Sequence, residues 1–245
     1  MSIARIAAGC LLLSCLLGAH EAEAQRYRRQ QRFADNQGRI YYRGPLRVTL
    51  GGGVALYSGD LAKSLADKFP DFSISAGLLY RLRPHFQAGF EGSFFRLGSR
   101  DQLPERGLAF QGNNGMATVF LRYEPIQDYS AYATFPGQAP ILQPFLKAGA
   151  GLLLYSPKTY RGTTRPTAGT SYLEPERNDY PAMAAVLPLG AGLSIRAGEQ
   201  FRITLEGAYY FTTTDHLDDV SARGNPALDD GFATGEIKLE YRIWR

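Results

Sequence analysis

Few side chains in this sequence have the chemistry for catalysis. Beyond residues 1–24, histidine occurs only as His85 and His216. His216 stands among Asp215, Asp218, Asp219 and Ser221. A His/Asp/Ser set can activate a hydroxyl if the base reaches the nucleophile and a third group orients the base. Neighbours along one loop rarely meet that geometry, so solvated loop polars and a non-enzymatic protein are expected. The carboxylates Asp215, Asp218, Asp219, Asp229 and Asp230 are oxygen donors of the kind calcium takes. Their spacing is not that of an EF-hand loop. Turns in which Asp side chains accept from nearby backbone N–H groups are the expected arrangement. Both cysteines, Cys10 and Cys15, fall near the N-terminus in a leader-like stretch, so no disulfide and no thiolate site is expected after export. No cofactor is implied.

A second set of charged residues recurs at alternate positions in apolar stretches. Arg47, Arg81, Arg122, Lys147, Arg196, Arg202 and Arg242 fall toward one end of such stretches. Glu91, Glu206 and Glu236 fall nearer the middle, and Glu240 is the acid expected close to the basic end. Two readings follow. The charges pair across an interior, or the arginines form a basic mouth that docks an acidic partner.

Strands must position these residues. The final stretch Ala233–Trp244 alternates Gly235, Ile237, Leu239, Tyr241 and Ile243 with Thr234, Glu236, Lys238, Glu240, Arg242 and Trp244. A period of two is the strand period. The length suits a tilted strand crossing a bilayer, about 9–11 residues. The same pattern recurs around Leu46–Tyr57, Phe72–Leu82, Phe86–Phe95, Met116–Tyr123, Phe145–Tyr155, Leu187–Ile195 and Phe201–Phe211. Pro188 weakens the sixth of these. Eight strands can close and leave no edge.

The connections alternate in length. Arg83-Pro84-His85 and Ala197-Gly198-Glu199-Gln200 are tight turns, whereas 58–71, 98–113, 156–182 and 212–231 are long and polar. Bacterial membrane barrels keep periplasmic turns short and external loops long. The segment 124–142 should be a turn yet is long and Pro-rich. The fold expected is an all-β, eight-stranded antiparallel transmembrane barrel over 45–245. A soluble barrel of the lipocalin type is the competitor, with the apolar stripe pointing inward.

The N-terminus reads as an export signal. Arg5 supplies charge, Leu11 to Leu17 form a short apolar core, and Ala22-Glu23-Ala24 fits a cleavage site. The mature chain is expected to begin at Gln25; a lipoprotein attached through Cys15 is the lesser alternative. Residues 25–44 are Arg- and Gln-rich without apolar periodicity and read as a flexible basic periplasmic segment. The formal charge of +4 is not gathered into runs interleaved with aromatics, so no nucleic-acid partner is expected.

Two short motifs carry a family resemblance. Thr214-Asp215-His216-Leu217-Asp218-Asp219-Val220-Ser221 resembles the T-D-Y-L-D-D-V-S stretch of small Bacteroidota outer-membrane barrels, a group that includes the PorG-like component of type IX secretion. Tyr57-Ser58-Gly59-Asp60-Leu61 is similar to the Y-x-G-D-L that follows their first strand. His216 stands where tyrosine is commoner. The resemblance implies an outer-membrane location, contact with outer-membrane lipid and attachment to periplasmic secretion-complex proteins. It implies loop roles for Gly59, Asp60, Asp215, Leu217, Asp218 and Asp219, and no catalytic residue. A small porin is the alternative function.

Overall fold

The computed structural model describes residues 32–59, 67–101, 107–132, 139–175, 177–219 and 230–243. The chain divides into residues 1–32 and 33–245. The expected signal segment, and Asp60, Ser221, Asp229 and Trp244 of the sequence motifs, lie outside the described residues.

Two short strands come first, β1 (Arg32–Ala34) and β2 (Ile40–Tyr42), paired as a ribbon. Eight long strands follow: β3 (Leu46–Ser58), β4 (Asp71–Arg83), β5 (Phe86–Arg100), β6 (Leu108–Tyr123), β7 (Leu142–Arg161), β8 (Ala182–Arg196), β9 (Phe201–Thr212) and β10 (Gly231–Arg242). They close in the order β10-β3-β4-β5-β6-β7-β8-β9. The last strand seals the barrel by pairing antiparallel with both β3 and β9.

The alternation decides which face meets what. Leu50, Ile74, Phe90, Val119, Leu152, Leu187, Leu205 and Ile237 all lie exposed on the outer wall, Leu50 at 59 % and Ile237 at 61 %. Their neighbours Thr49, Ser75, Glu91, Thr118, Leu153, Val186, Thr204 and Lys238 are buried inside. This is a soluble barrel turned inside out. Exposed apolar area costs about 25 cal/mol per Å² in water, so this wall is a lipid surface. Toward the turn end it carries aromatic pairs, Phe86 with Tyr123 at 5.2 Å between ring centroids and Phe201 with Tyr241 at 5.1 Å. Such pairs suit the bilayer interface.

Three features depart from the sequence reading. First, β5, β6 and β7 run well past the apolar stretches, and β7 reaches 20 residues. Parts of 98–113 and 156–182, expected as loops, are therefore strand. Beyond the apolar band no lipid selects an apolar stripe, so the pattern that marks a strand disappears while the ladder continues. Second, residues 32–42 are not featureless. The Asp35 carboxylate accepts from the backbone N–H groups of Gln37 and Arg39 and pairs with the Arg39 guanidinium at 2.9 Å, which fixes the turn of the ribbon. Third, Pro188 sits inside β8 without breaking it. The β7–β8 ladder lacks pairs between Ala148–Leu189 and Gly151–Val186, with the register unchanged, so it is open where Pro188 has no N–H to give.

Placing Arg at Leu239, within the exposed apolar stripe, should cost about 2–4 kcal/mol of stability, while Thr234→Ser inside should be nearly silent. Spin labels at Ile237 and Lys238 provide the check. A lipid-soluble quencher should reach the first far better than the second; equal access would reject this orientation.

Candidate functional site

The interior is filled in three layers. In the middle, the Lys238 ammonium lies 2.5 Å from Glu91, 2.9 Å from Glu206 and 3.3 Å from Glu236. Lys147 joins Glu91 at 3.1 Å and Glu206 at 2.7 Å. Ser73 and Ser75 each donate a hydroxyl to Glu236. The five charged groups come from β5, β7, β9 and β10, with the serines from β4. Lys147, expected among the basic residues of the turn end, belongs here instead, because its long stem reaches inward to Glu206. Glycines make room for bulk beside it. Phe120 faces Gly89 on one side and Gly149 on the other, and its ring would collide with a Cβ at Gly89, 2.3 Å away. The Lys147 ammonium then stands 4.2 Å from the Phe120 ring centre.

The turn-end layer holds Arg47, Arg81, Arg122 and Arg202, all buried. Arg81 binds Asp128 at 2.6 Å and approaches Glu124 at 3.6 Å. Arg122 binds Glu240 at 2.7 Å and Glu124 at 3.2 Å, with its guanidinium 3.7 Å from the Phe145 ring centre. Arg202 reaches Asp128 at 3.5 Å. Glu240 also accepts from Thr204 at 2.7 Å. Glu240 was the one acid expected here, but residues 124–132, after β6, supply two more and fold back into the barrel mouth. Asp128 caps a short 3-10 helix, Tyr129–Ala131, while its carboxylate engages the arginines. Gln143 donates to the Ile126 carbonyl at 2.6 Å, and Tyr132 bridges to Tyr41 of the ribbon. Burial opposes ionisation of Asp128, yet Arg81, Ser130 and Arg202 prevail and hold it at about 2. Its contribution is therefore kept above the ordinary carboxylate range and lost only as pH falls toward 2.

This changes the meaning of the six arginines expected at a docking mouth. Arg47, Arg81, Arg122 and Arg202 are no more than 6 % exposed and cannot themselves form a contact surface. Arg196 and Arg242 are half-exposed at the rim. Across the two charged layers, the cations Arg47, Arg81, Arg122, Lys147, Arg202 and Lys238 meet an equal number of acids: Glu91, Glu124, Asp128, Glu206, Glu236 and Glu240. Glu124 and Asp128 cancel most of the positive excess expected at the mouth from strand residues alone, leaving the turn-end layer one positive charge over.

The loop-end layer is aromatic. Phe232 stacks between Phe95 and Tyr210, each at 4.6 Å between ring centroids, and Tyr57 meets Phe110 edge-on at 4.8 Å. Above it the two sequence motifs converge. The Tyr57 hydroxyl lies 2.7 Å from Asp218 and 2.5 Å from Asp230, and Asp230 accepts from the Leu217 N–H at 3.1 Å. A Cβ at Gly59 would stand 2.0 Å from the Asp230 carboxylate, so only glycine fits. Asp219 accepts from Tyr180 at 2.8 Å. Leu217 packs into the apolar cluster. Sequence reasoning missed Tyr57, Tyr180 and Asp230 as partners, since nothing local links residues so far apart. One proton on Tyr57 cannot serve two carboxylates. Burial, then the charge of Asp218, pushes Asp230 up to about 8, so it carries the second proton. The His216 ring Nδ1 makes no hydrogen bond among the described residues. Nor, among them, are three His, Asp or Glu side chains grouped as metal ligands.

No known family pattern matches the sequence, and no curated protein is similar to it. Solved structures are. Neisserial surface protein A aligns at TM-score 0.47 and 13 % identity, over 82 % of this chain and 98 % of that one. The attachment invasion locus protein of Yersinia pestis aligns at 0.44 and 13 %, over 80 % and 97 %. A major outer membrane protein of Thermus thermophilus aligns at 0.43 and 11 %, over 81 % and 100 %. These are likenesses of the barrel alone.

The Tyr57–Asp218–Asp230 cluster sets a pH dependence. With Asp230 held near 8 when folded and near 3.8 when open, the folded loop keeps a proton the open loop has lost. Loop closure should therefore weaken steadily as pH rises from about 4 to 8 and level off above. Hydrogen exchange at residues 212–219 measures it. Asp230→Asn, which still accepts from Tyr57, should flatten the profile over that range.

Proposed function

We propose that this chain is a non-enzymatic outer-membrane β-barrel that anchors or docks a periplasmic complex. The type IX secretion kind is suggested by its loop motifs. The observation that carries the reading is the filled lumen. Among the described residues, paired ions in two layers and stacked aromatics in a third occupy the lumen, which argues against a small porin. The convergence of the two motifs on Tyr57, Gly59, Asp218 and Asp230 supports a structural role for those loops rather than a reactive one.

Docking then falls to what stays accessible at the turn end. Arg81, Arg122 and Arg202 are occupied by Glu124, Asp128 and Glu240, and Arg47 is buried beside them. Accessible positive charge is carried by Arg196 and Arg242 at the rim, and the sequence adds Arg26, Arg28 and Arg29 ahead of β1. In the ribbon, Arg39 stands over the Tyr132 ring at 4.9 Å and Arg43 over Phe33 at 3.9 Å. An acidic partner drawn by such charges would bind faster at low salt.

Two experiments test the halves of this reading. The refolded protein in planar bilayers should pass little steady current; large, reproducible channels would favour the porin. Deleting residues 26–31, which leaves β1 intact, should lower recovery of periplasmic partners in a low-salt pull-down. Heat-modifiable gel mobility should be unchanged. Full recovery from the folded deletion would remove docking by this segment.

A further inference from the structure

Arg47 stands apart in the turn-end layer. It is 5 % exposed and projects inward from β3 opposite Arg242 and Leu79. Arg81, Arg122 and Arg202 each have a carboxylate within ion-pair distance; Arg47 has none among the described residues. Its Nη1 is buried without an acceptor, and so are Nη1 of Arg202 and Nε of Arg81. Arg47 lies within electrostatic reach of both Arg202 and Arg81, so like charges crowd it, while Glu240 and Glu124 act on it only from beyond contact. The layer thus sets four guanidiniums, Arg47, Arg81, Arg122 and Arg202, against three carboxylates, Glu124, Asp128 and Glu240. The balancing acid is in the middle layer, where Ser73, Ser75 and Lys238 hold Glu236.

Buried donors in native proteins are satisfied by protein, water or ions. Water would fill the hydrogen bonds but leave the charge. A buried cation without a counter-charge is costly. A small anion corrects both deficits at once. We propose that the turn-end layer binds one small monovalent anion, such as chloride, between the Arg47 and Arg202 guanidiniums. Both residues retain slight exposure, which leaves the ion a way in. It completes the charge layer from below. This site stands whether or not a periplasmic partner docks. A divalent oxyanion would overcompensate a deficit of one charge and is disfavoured.

The competing arrangement is direct. Oε2 of Glu240 also lacks a hydrogen bond, so Arg47 could turn to it and need no ion. The full chain, refolded in micelles, distinguishes the two. Its unfolding midpoint is followed while chloride replaces gluconate at constant ionic strength. The anion site predicts a saturable rise of a few degrees with chloride, little effect of sulfate, and loss of the chloride response in Arg47→Gln. A midpoint indifferent to chloride would overturn the proposal and favour the Arg47–Glu240 pair. If Arg47→Gln fails to fold, bromide-soaked crystals of the unaltered protein decide. An anomalous peak within hydrogen-bond reach of Arg47 and Arg202 is expected, and its absence rejects the site.

Discussion

Lys238 holds the middle of this barrel. Its ammonium is shared among Glu91, Glu206 and Glu236, and through Glu91 and Glu206 it is tied to Lys147. Buried charge is tolerated only where it is paired and hydrogen-bonded, and breaking such a pair costs far more than an exposed one returns. The network therefore constrains everything around it. It joins walls that are far apart in sequence, fixes which face of each strand points inward, and occupies the middle of the lumen. The outer wall can be apolar across the lipid band because the charges at that depth have places inside.

The ends of the lumen are closed by different physics. At the turn end a loop, not a strand, brings the missing acids. Glu124 and Asp128 turn a cluster of like-charged guanidiniums into a nearly balanced layer, and the 3-10 helix capped by Asp128 keeps the loop in the mouth. At the loop end, stacked rings take over, and two carboxyls meet at one tyrosine. The first end is held in part by Asp128, which stays ionised to low pH. The second depends on a shared proton and is the part of the barrel that should respond to pH.

The strand pattern made the barrel legible. Ile237 and Lys238 show why: a side chain that must meet lipid next to one that must meet Glu91 leaves no doubt about period or face. What the sequence hid was everything the bilayer does not select. The upper ends of β5, β6 and β7 lost their stripe outside the apolar band. The ribbon around Asp35 depends on a side-chain turn that composition does not reveal. Segment 124–142 looked like a misfit because what its first part does, delivering Glu124 and Asp128 to arginines on β4, β6 and β9, exists only in three dimensions. The two motifs were visible separately, yet their contact through Tyr57 and Asp230 was not.

The claim that paired interior charges hold the barrel shut rests most directly on the coupling between Lys238 and Glu206. A double-mutant cycle with Lys238→Met and Glu206→Leu, read by reversible urea unfolding from micelles or vesicles, measures it. Each single change should destabilise by about 3–5 kcal/mol, because it leaves buried charge uncompensated. The double change should cost much less than the sum of the two. Additive losses would mean that the two groups do not sense each other, and the charge network would not be what organises this barrel.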